Sequence, residues 1–126
     1  MNLNETNGAL KVAHTYFDAM ANKDVEKIMS LASDEMICNS PAGKLEGTQS
    51  FRGFQEGFAR MINKLTLVAA FGDDEQAVII YEADTIPVKN STVVEYITVK
   101  NGKIASTQVI YDATPFQEYM ASQSKH

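Results

Sequence analysis

Tryptophan is absent from these 126 residues, cysteine occurs once, histidine twice and proline three times. A lone thiol, Cys38, cannot build an internal disulfide framework, so nothing demands an oxidising compartment and a reducing cytoplasm is expected. With His14 and the terminal His126 the only imidazoles, and no clustered cysteines, no metal-ligand set is recognisable and no metal is expected. There is neither a phosphate-cradling glycine loop nor a Gly-x-Ser-x-Gly elbow, which removes nucleotide-binding and esterase readings; no cofactor is expected.

Long apolar runs are also missing. The stretches 67–71 and 77–81 are strand-sized, far below the roughly 20 residues that cross a bilayer. The opening residues 1–7 carry neither the basic flank nor the apolar run of a signal peptide. No membrane association is expected. Basic residues number 11 against 16 acidic ones, a net charge of −5, and they form no patch that could neutralise phosphates, so nucleic acid is not an expected partner.

What the chain does have is enough length for one core. A domain of this size buries roughly two thirds of its unfolded surface, so residues 1–126 are read as a single domain. From about Glu5 to Asn22, the residues Ala9, Val12, Ala13, Tyr16, Phe17 and Met20 recur at threes and fours, the period of a helix with one buried face. Asp24 offers a cap to a second helix over Val25–Ala32. A short extended segment, Met36–Ser40, ends at Pro41-Ala42-Gly43. Thr48 is placed to cap a third helix, with Phe51, Phe54, Phe58, Met61 and Ile62 on one face and Arg52, Gln55, Glu56 and Arg60 on the other. Beyond it the period changes. Leu65–Phe71, Gln76–Ile86, Thr92–Val99 and Lys103–Asp112 are rich in β-branched and aromatic residues, and glycine- and asparagine-containing turns separate them as antiparallel hairpins. Three helices followed by an antiparallel sheet predict an α+β domain.

The last hairpin can close in two ways, and one residue of slip turns a strand over. A two-residue turn opposes Lys100 and Lys103, a like-charge pair. A three-residue loop pairs Val99 with Lys103 and is the expected form. It puts Val93, Glu95, Ile97 and Val99 on one face with Ala105, Thr107, Val109 and Tyr111, and leaves Val94, Tyr96, Ile104 and Ile110 on the other. In the opposite register Asp112 replaces Tyr111. Both faces then carry apolar groups, so with helices on one side, a homodimer through the other sheet face is expected.

Glu95 stands where the pattern calls for an apolar side chain. A carboxyl buried there has a raised pKa and stays protonated near neutrality, able to donate a hydrogen bond to an oxyanion. A solvent-facing strand or a basic partner is the plainer alternative. Tyr16 lies on the apolar stripe of the first helix and needs a hydroxyl partner, in a pocket or at a backbone carbonyl. Cys38 and Ser40 share a face of the first strand. A serine there can bond a ligand, but not act as a base without a histidine or lysine. His14 lies well round the helix from Tyr16.

The stretches Tyr16-Phe17-Asp18-Ala19-Met20, Asn22-Lys23-Asp24, residues 34–43 with Glu46-Gly47, Val99-Lys100-Asn101-Gly102-Lys103-Ile104 and Tyr111-Asp112-Ala113-Thr114-Pro115-Phe116 resemble the SnoaL-like families of the nuclear-transport-factor-2-like superfamily. The resemblance implies a cone-shaped half-barrel, cystatin-like, with three N-terminal helices packed in a curved sheet around a pocket. Within that superfamily, whose members include isomerases, cyclases, dehydratases and pure binding proteins, the chain looks most like the ketosteroid isomerase branch. That likeness implies that Tyr16 and Glu95 hold the places of the branch's oxyanion-hole tyrosine and protonated carboxyl. Its base, an aspartate before a proline at the end of the first strand, is replaced by Ser40 before Pro41.

The expected function is therefore binding of a small hydrophobic molecule bearing a carbonyl or hydroxyl. Tyr16 and Glu95 orient it, and Ser40, Tyr111, Phe54, Phe58 and Cys38 contact it. Any catalysis would be cofactor-independent isomerase or lyase chemistry. The alternative is a non-catalytic ligand-binding or dimeric interaction module, with Tyr16 and Glu95 merely bonded across the core.

Overall fold

A computed structural model describes residues 8–124. The chain runs α1 (Gly8–Ala21), α2 (Val25–Leu31), β1 (Ala32–Ser40), β2 (Gly43–Glu46), α3 (Thr48–Met61), β3 (Ile62–Gly72), β4 (Gln76–Thr85), β5 (Ser91–Lys100), β6 (Lys103–Ile110) and α4 (Thr114–Ser124). The six strands form one curved, unclosed sheet in the order β2-β1-β6-β5-β4-β3. This is the α+β domain that the element order predicts, in the cone form that the resemblance implies. The start expected for the first helix, at Glu5, lies outside the described residues.

The α1 stripe of Ala9, Ala13, Tyr16, Phe17 and Met20 is buried against β3, β4 and β5. The N-terminus of α1 rests on the acidic β3–β4 turn. Ala9 N–H donates to the carbonyls of Asp73 and Asp74, and Leu10 N–H donates to Asp73. A side chain on Gly8 would lie 2.6 Å from the Asp74 carbonyl oxygen, so the approach requires glycine. Asp73 also closes the turn, its carboxylate accepting from the N–H groups of Glu75 and Gln76, and those bonds hold its pKa below the ordinary value. A cluster that reads as solvated surface thus fastens the first helix to the sheet.

Asp24 caps α2 as expected, accepting from Lys27 N–H. At α3 the cap is Gly47, at φ 84°, with no side-chain cap bond; Thr48 is the first helical residue rather than the cap. Three elements exceed the reading from sequence. β1 begins at Ala32, β2 pairs with it across the Pro41-Ala42 turn, and α4 follows the last strand. One strand pair departs from the antiparallel pattern: β1 lies parallel to β6, the two starting at the same end of the sheet, where Ala32 pairs with Ile104.

The last hairpin resolves its choice by a route not anticipated. Lys100 and Lys103 do pair, around a two-residue turn with Asn101 at φ 53° and Gly102 at φ 77°. Both positive values are those a type I′ turn demands. The like charges are tolerable because both lysines are exposed, and Lys103 Nζ reaches the Ser30 carbonyl at 2.6 Å. A bulge beyond Val99↔Ile104 then restores the expected face but not the expected register: Ile97 lies opposite Thr107 and Glu95 opposite Val109, two residues on from the pairs that Val99 opposite Lys103 would give. The expected inner face from Val93 to Val99 is present. Ile104 is the correction: it lies fully buried opposite Val99, not on the outer face.

Candidate ligand cavity

Four side chains from four elements meet at the base of the cone. Tyr16 comes from α1, Gln55 from α3, Tyr81 from β4 and Glu95 from β5; each is 2% exposed or less. The register places them: Ile79 pairs with Glu95, and Tyr81 pairs with Val93, so Tyr81 stands beside Glu95 on the same inward face.

Tyr16 donates to Glu95 Oε1 at 2.8 Å, and Tyr81 bonds Glu95 Oε2 at 2.6 Å. Gln55 Nε2 donates to the Tyr16 hydroxyl at 3.1 Å. This satisfies the cluster; among the described residues, no buried side-chain nitrogen or oxygen is left without a partner. Burial pushes the Glu95 carboxyl up to about 7, against the opposing effect of the bonds from Tyr81 and Tyr16. Burial likewise drives both phenols well above their ordinary value, helped by the nearby carboxylate.

Above Glu95 opens a cavity of about 500 Å³. Its floor is formed by Tyr81, Val93, Glu95 and Val109, and one wall by Gly53, Phe54, Gly57, Phe58 and Met61 of α3. Phe116, Gln117 and Met120 of α4 stand at the mouth, with Tyr111 beside them. Tyr111 meets Phe116 edge-on, ring centres 5.4 Å apart. Neither Gly53 nor Gly57 has an atom within 4 Å of where a side chain would begin, so these helix-interior glycines leave volume open. Glu95 is the only carboxyl among the lining residues, which include no lysine, arginine or histidine.

The residues singled out from sequence separate into groups. Glu95, Tyr111, Phe54 and Phe58 line the cavity, and Tyr16 lies behind Glu95, fully buried. Cys38 is buried beside Thr107, whose hydroxyl donates to its sulfur at 3.4 Å; it is not a lining residue, and burial raises its thiol pKa. Ser40 turns away to the β1–β2 turn, where its hydroxyl accepts from Ala42 N–H and donates to the Gly43 carbonyl. It borders a separate depression of about 240 Å³. Asp112 is exposed and accepts from Thr114 N–H, and His14 is exposed. Among the described residues no group of three or more His, Cys, Asp or Glu could hold a metal ion, and no helix is long and apolar enough to cross a membrane.

Two residues of the cluster were not singled out from sequence. Helical spacing puts Gln55 on the polar face of α3, but the buried line of that helix runs through Phe51 and Gln55, while Phe54, Phe58 and Met61 turn to the cavity. Tyr81 was within sight. It alternates with Ala77, Ile79 and Ala83 on the buried parity of β4, and a tyrosine in that series requires a hydroxyl partner.

Residues 13–107 match the SnoaL-like domain family. Among solved structures, a Kribbella flavida protein is 31% identical, with TM-score 0.87 over 95% of this chain and 99% of its own. A candidate ketosteroid isomerase, also from Kribbella flavida, is 16% identical, with TM-score 0.76 over 86% of this chain and 80% of its own. A candidate polyketide cyclase from Sinorhizobium meliloti is 15% identical, with TM-score 0.71 over 79% of this chain and 93% of its own. The last two likenesses concern the fold alone. No curated protein sequence matches. By the family match over residues 13–107, the chain belongs to the SnoaL-like domain family.

Proposed function

We propose that this protein binds a small, largely apolar molecule carrying one carbonyl or hydroxyl oxygen, which it seats against Glu95. The observation that carries this reading is a single carboxyl at the floor of a largely apolar cavity of about 500 Å³. Such a pocket gains affinity from apolar burial and orientation from its few polar groups. The phenols that bond Glu95 fix its rotamer. A neutral Glu95 brings no charge to the cavity floor and supports the polarisation of a carbonyl seated there. Tyr16 acts through Glu95 as a positioning residue, since its own hydroxyl is engaged by Gln55 and Glu95.

The branch of the superfamily that isomerises ketosteroids needs a second carboxylate as base. Here Ser40 holds that place and is committed to a turn, and no other carboxylate lines the cavity. The arrangement therefore favours binding and carbonyl polarisation. Isomerase or lyase chemistry would need its base from the ligand or from water. Calorimetric titration with a panel of ketones, enones and steroids tests the reading: saturable binding that Glu95→Leu weakens at least tenfold is expected. Uniform silence across the panel, or binding indifferent to Glu95→Leu, contradicts it.

The outer sheet face supports a second part of the reading, a homodimer. Phe71, Val78 and Tyr96 form one cross-strand row and Ala69, Ile80, Val94 and Ile110 the next. Phe71 is 64% and Ile110 53% exposed. These rows carry no charge, so a charged partner finds nothing to pair with, whereas a second copy sets apolar row against apolar row.

A further inference from the structure

We propose that Tyr81 is the residue that reads the ligand's oxygen, donating to a carbonyl or accepting from a hydroxyl according to where the proton of Glu95 resides. The inference rests on the reading that the cavity holds the ligand at Glu95.

Counting donors along the cluster fixes most of its hydrogen bonds. Gln55 Nε2 can only donate, so the Tyr16 oxygen is an acceptor there and its single proton goes to Glu95 Oε1. A proton on Oε1 would leave the Tyr16 hydroxyl without an acceptor. The freedom in the chain therefore lies at the other end, between Oε2 and Tyr81, 2.6 Å apart. When Glu95 is ionised, Tyr81 donates to Oε2 and offers only lone pairs to its surroundings. When Oε2 carries a proton, it donates to the Tyr81 oxygen, and the phenolic proton is released. Among the described residues its one acceptor is then the Met20 sulfur at 3.9 Å, a weak one. Both Tyr81 and Met20 line the cavity, so a ligand carbonyl there receives the bond that Met20 cannot match.

No other group facing Glu95 competes for the proton. Tyr16 from α1 and Tyr81 from β4 are held neutral by burial, and Cys38 from β1 has a raised thiol pKa. Gln55 from α3 does not titrate, Tyr111 is raised by burial, and the lining includes no cation. The same pocket consequently selects hydrogen-bond acceptors with Glu95 neutral and hydrogen-bond donors with Glu95 ionised.

The probes are β-ionone and β-ionol, which share one apolar body and differ at one oxygen, titrated calorimetrically into the intact chain. Expected in the wild type is a ketone-to-alcohol affinity ratio that falls about tenfold between about pH 5.5 and about pH 8.5. In Tyr81→Phe the ketone should weaken about tenfold at the lower pH and its carbonyl stretch should move to higher frequency, as for a carbonyl without a donor. A ratio that does not change with pH overturns the inference, as does undiminished ketone binding by Tyr81→Phe, which would mean that Glu95 donates directly. Should Tyr81→Phe fail to fold, the wild type decides alone: near pH 7 the ketone must take up protons on binding and the alcohol, whose hydroxyl can donate or accept, must take up fewer, and equal proton counts overturn the inference. Absence of binding by either probe at every pH, in wild type and variant alike, instead removes the cavity reading beneath it.

Discussion

Tyr16 and Glu95, 79 positions apart in the chain, are joined by a 2.8 Å hydrogen bond between the first helix and the fifth strand, both side chains being buried. That bond ties α1 to the sheet and holds the carboxyl at the cavity floor. Replacing Tyr16 by Phe deprives Glu95 Oε1 of its donor and Gln55 of its acceptor. A destabilisation of about 1–3 kcal/mol is expected from two buried groups left unpaired, read from urea or thermal unfolding. The Glu95 pKa should rise further, since the Tyr16 bond opposes the effect of burial.

Glu95 also sets a pH dependence of stability. Its pKa is raised from 4.5 to about 7, so the folded chain holds this proton more tightly than the unfolded chain. The contribution is fully present below pH 4.5 and is lost as pH rises through about 7, amounting to about 3 kcal/mol. Glu95→Gln keeps an acceptor for Tyr16 and a donor for Tyr81 without the charge. Its stability should not show that decline between pH 5 and 8, and at pH 8 it should exceed the wild type, as measured by denaturant melts across the range.

The two glycines of α3 offer a test of cavity shape. Glycine in a helix interior costs about 1 kcal/mol relative to alanine, and at Gly53 and Gly57 a methyl group meets nothing. Gly53→Ala and Gly57→Ala should each raise stability by roughly 0.5–1 kcal/mol. Larger side chains at Gly57 should reduce ligand affinity while leaving the fold intact.

Much of this arrangement is legible in the sequence, and what is not has identifiable causes. Helical periodicity exposes the α1 stripe, and strand parity flags Glu95 as a polar residue in an apolar series. Gln55 escapes because a polar residue at one helical step from aromatic neighbours looks solvated; only in the folded chain does it meet the Tyr16 hydroxyl of α1. The β6 bulge escapes because it is a response to pairing Lys100 with Lys103 on one side and the inner face on the other. Ser40 looks like a ligand contact until the β1–β2 turn claims its hydroxyl. The fourth helix has too weak an apolar pattern to announce itself, although its Phe116, Gln117 and Met120 line the cavity.

The outer face predicts association. Multi-angle light scattering should give a dimer, and Phe71→Lys combined with Ile110→Lys should give a monomer of unchanged secondary structure, because both side chains stand exposed on adjacent strand rows. A monomeric wild type contradicts this.

The central claim, an apolar cavity that seats its ligand on Glu95, is tested most directly by calorimetric titration of β-ionone into the wild type and Gly57→Leu in parallel. The account predicts saturable one-to-one binding by the wild type and its loss in a Gly57→Leu protein that melts no lower. Equal binding by both proteins, or none by the wild type, would contradict it.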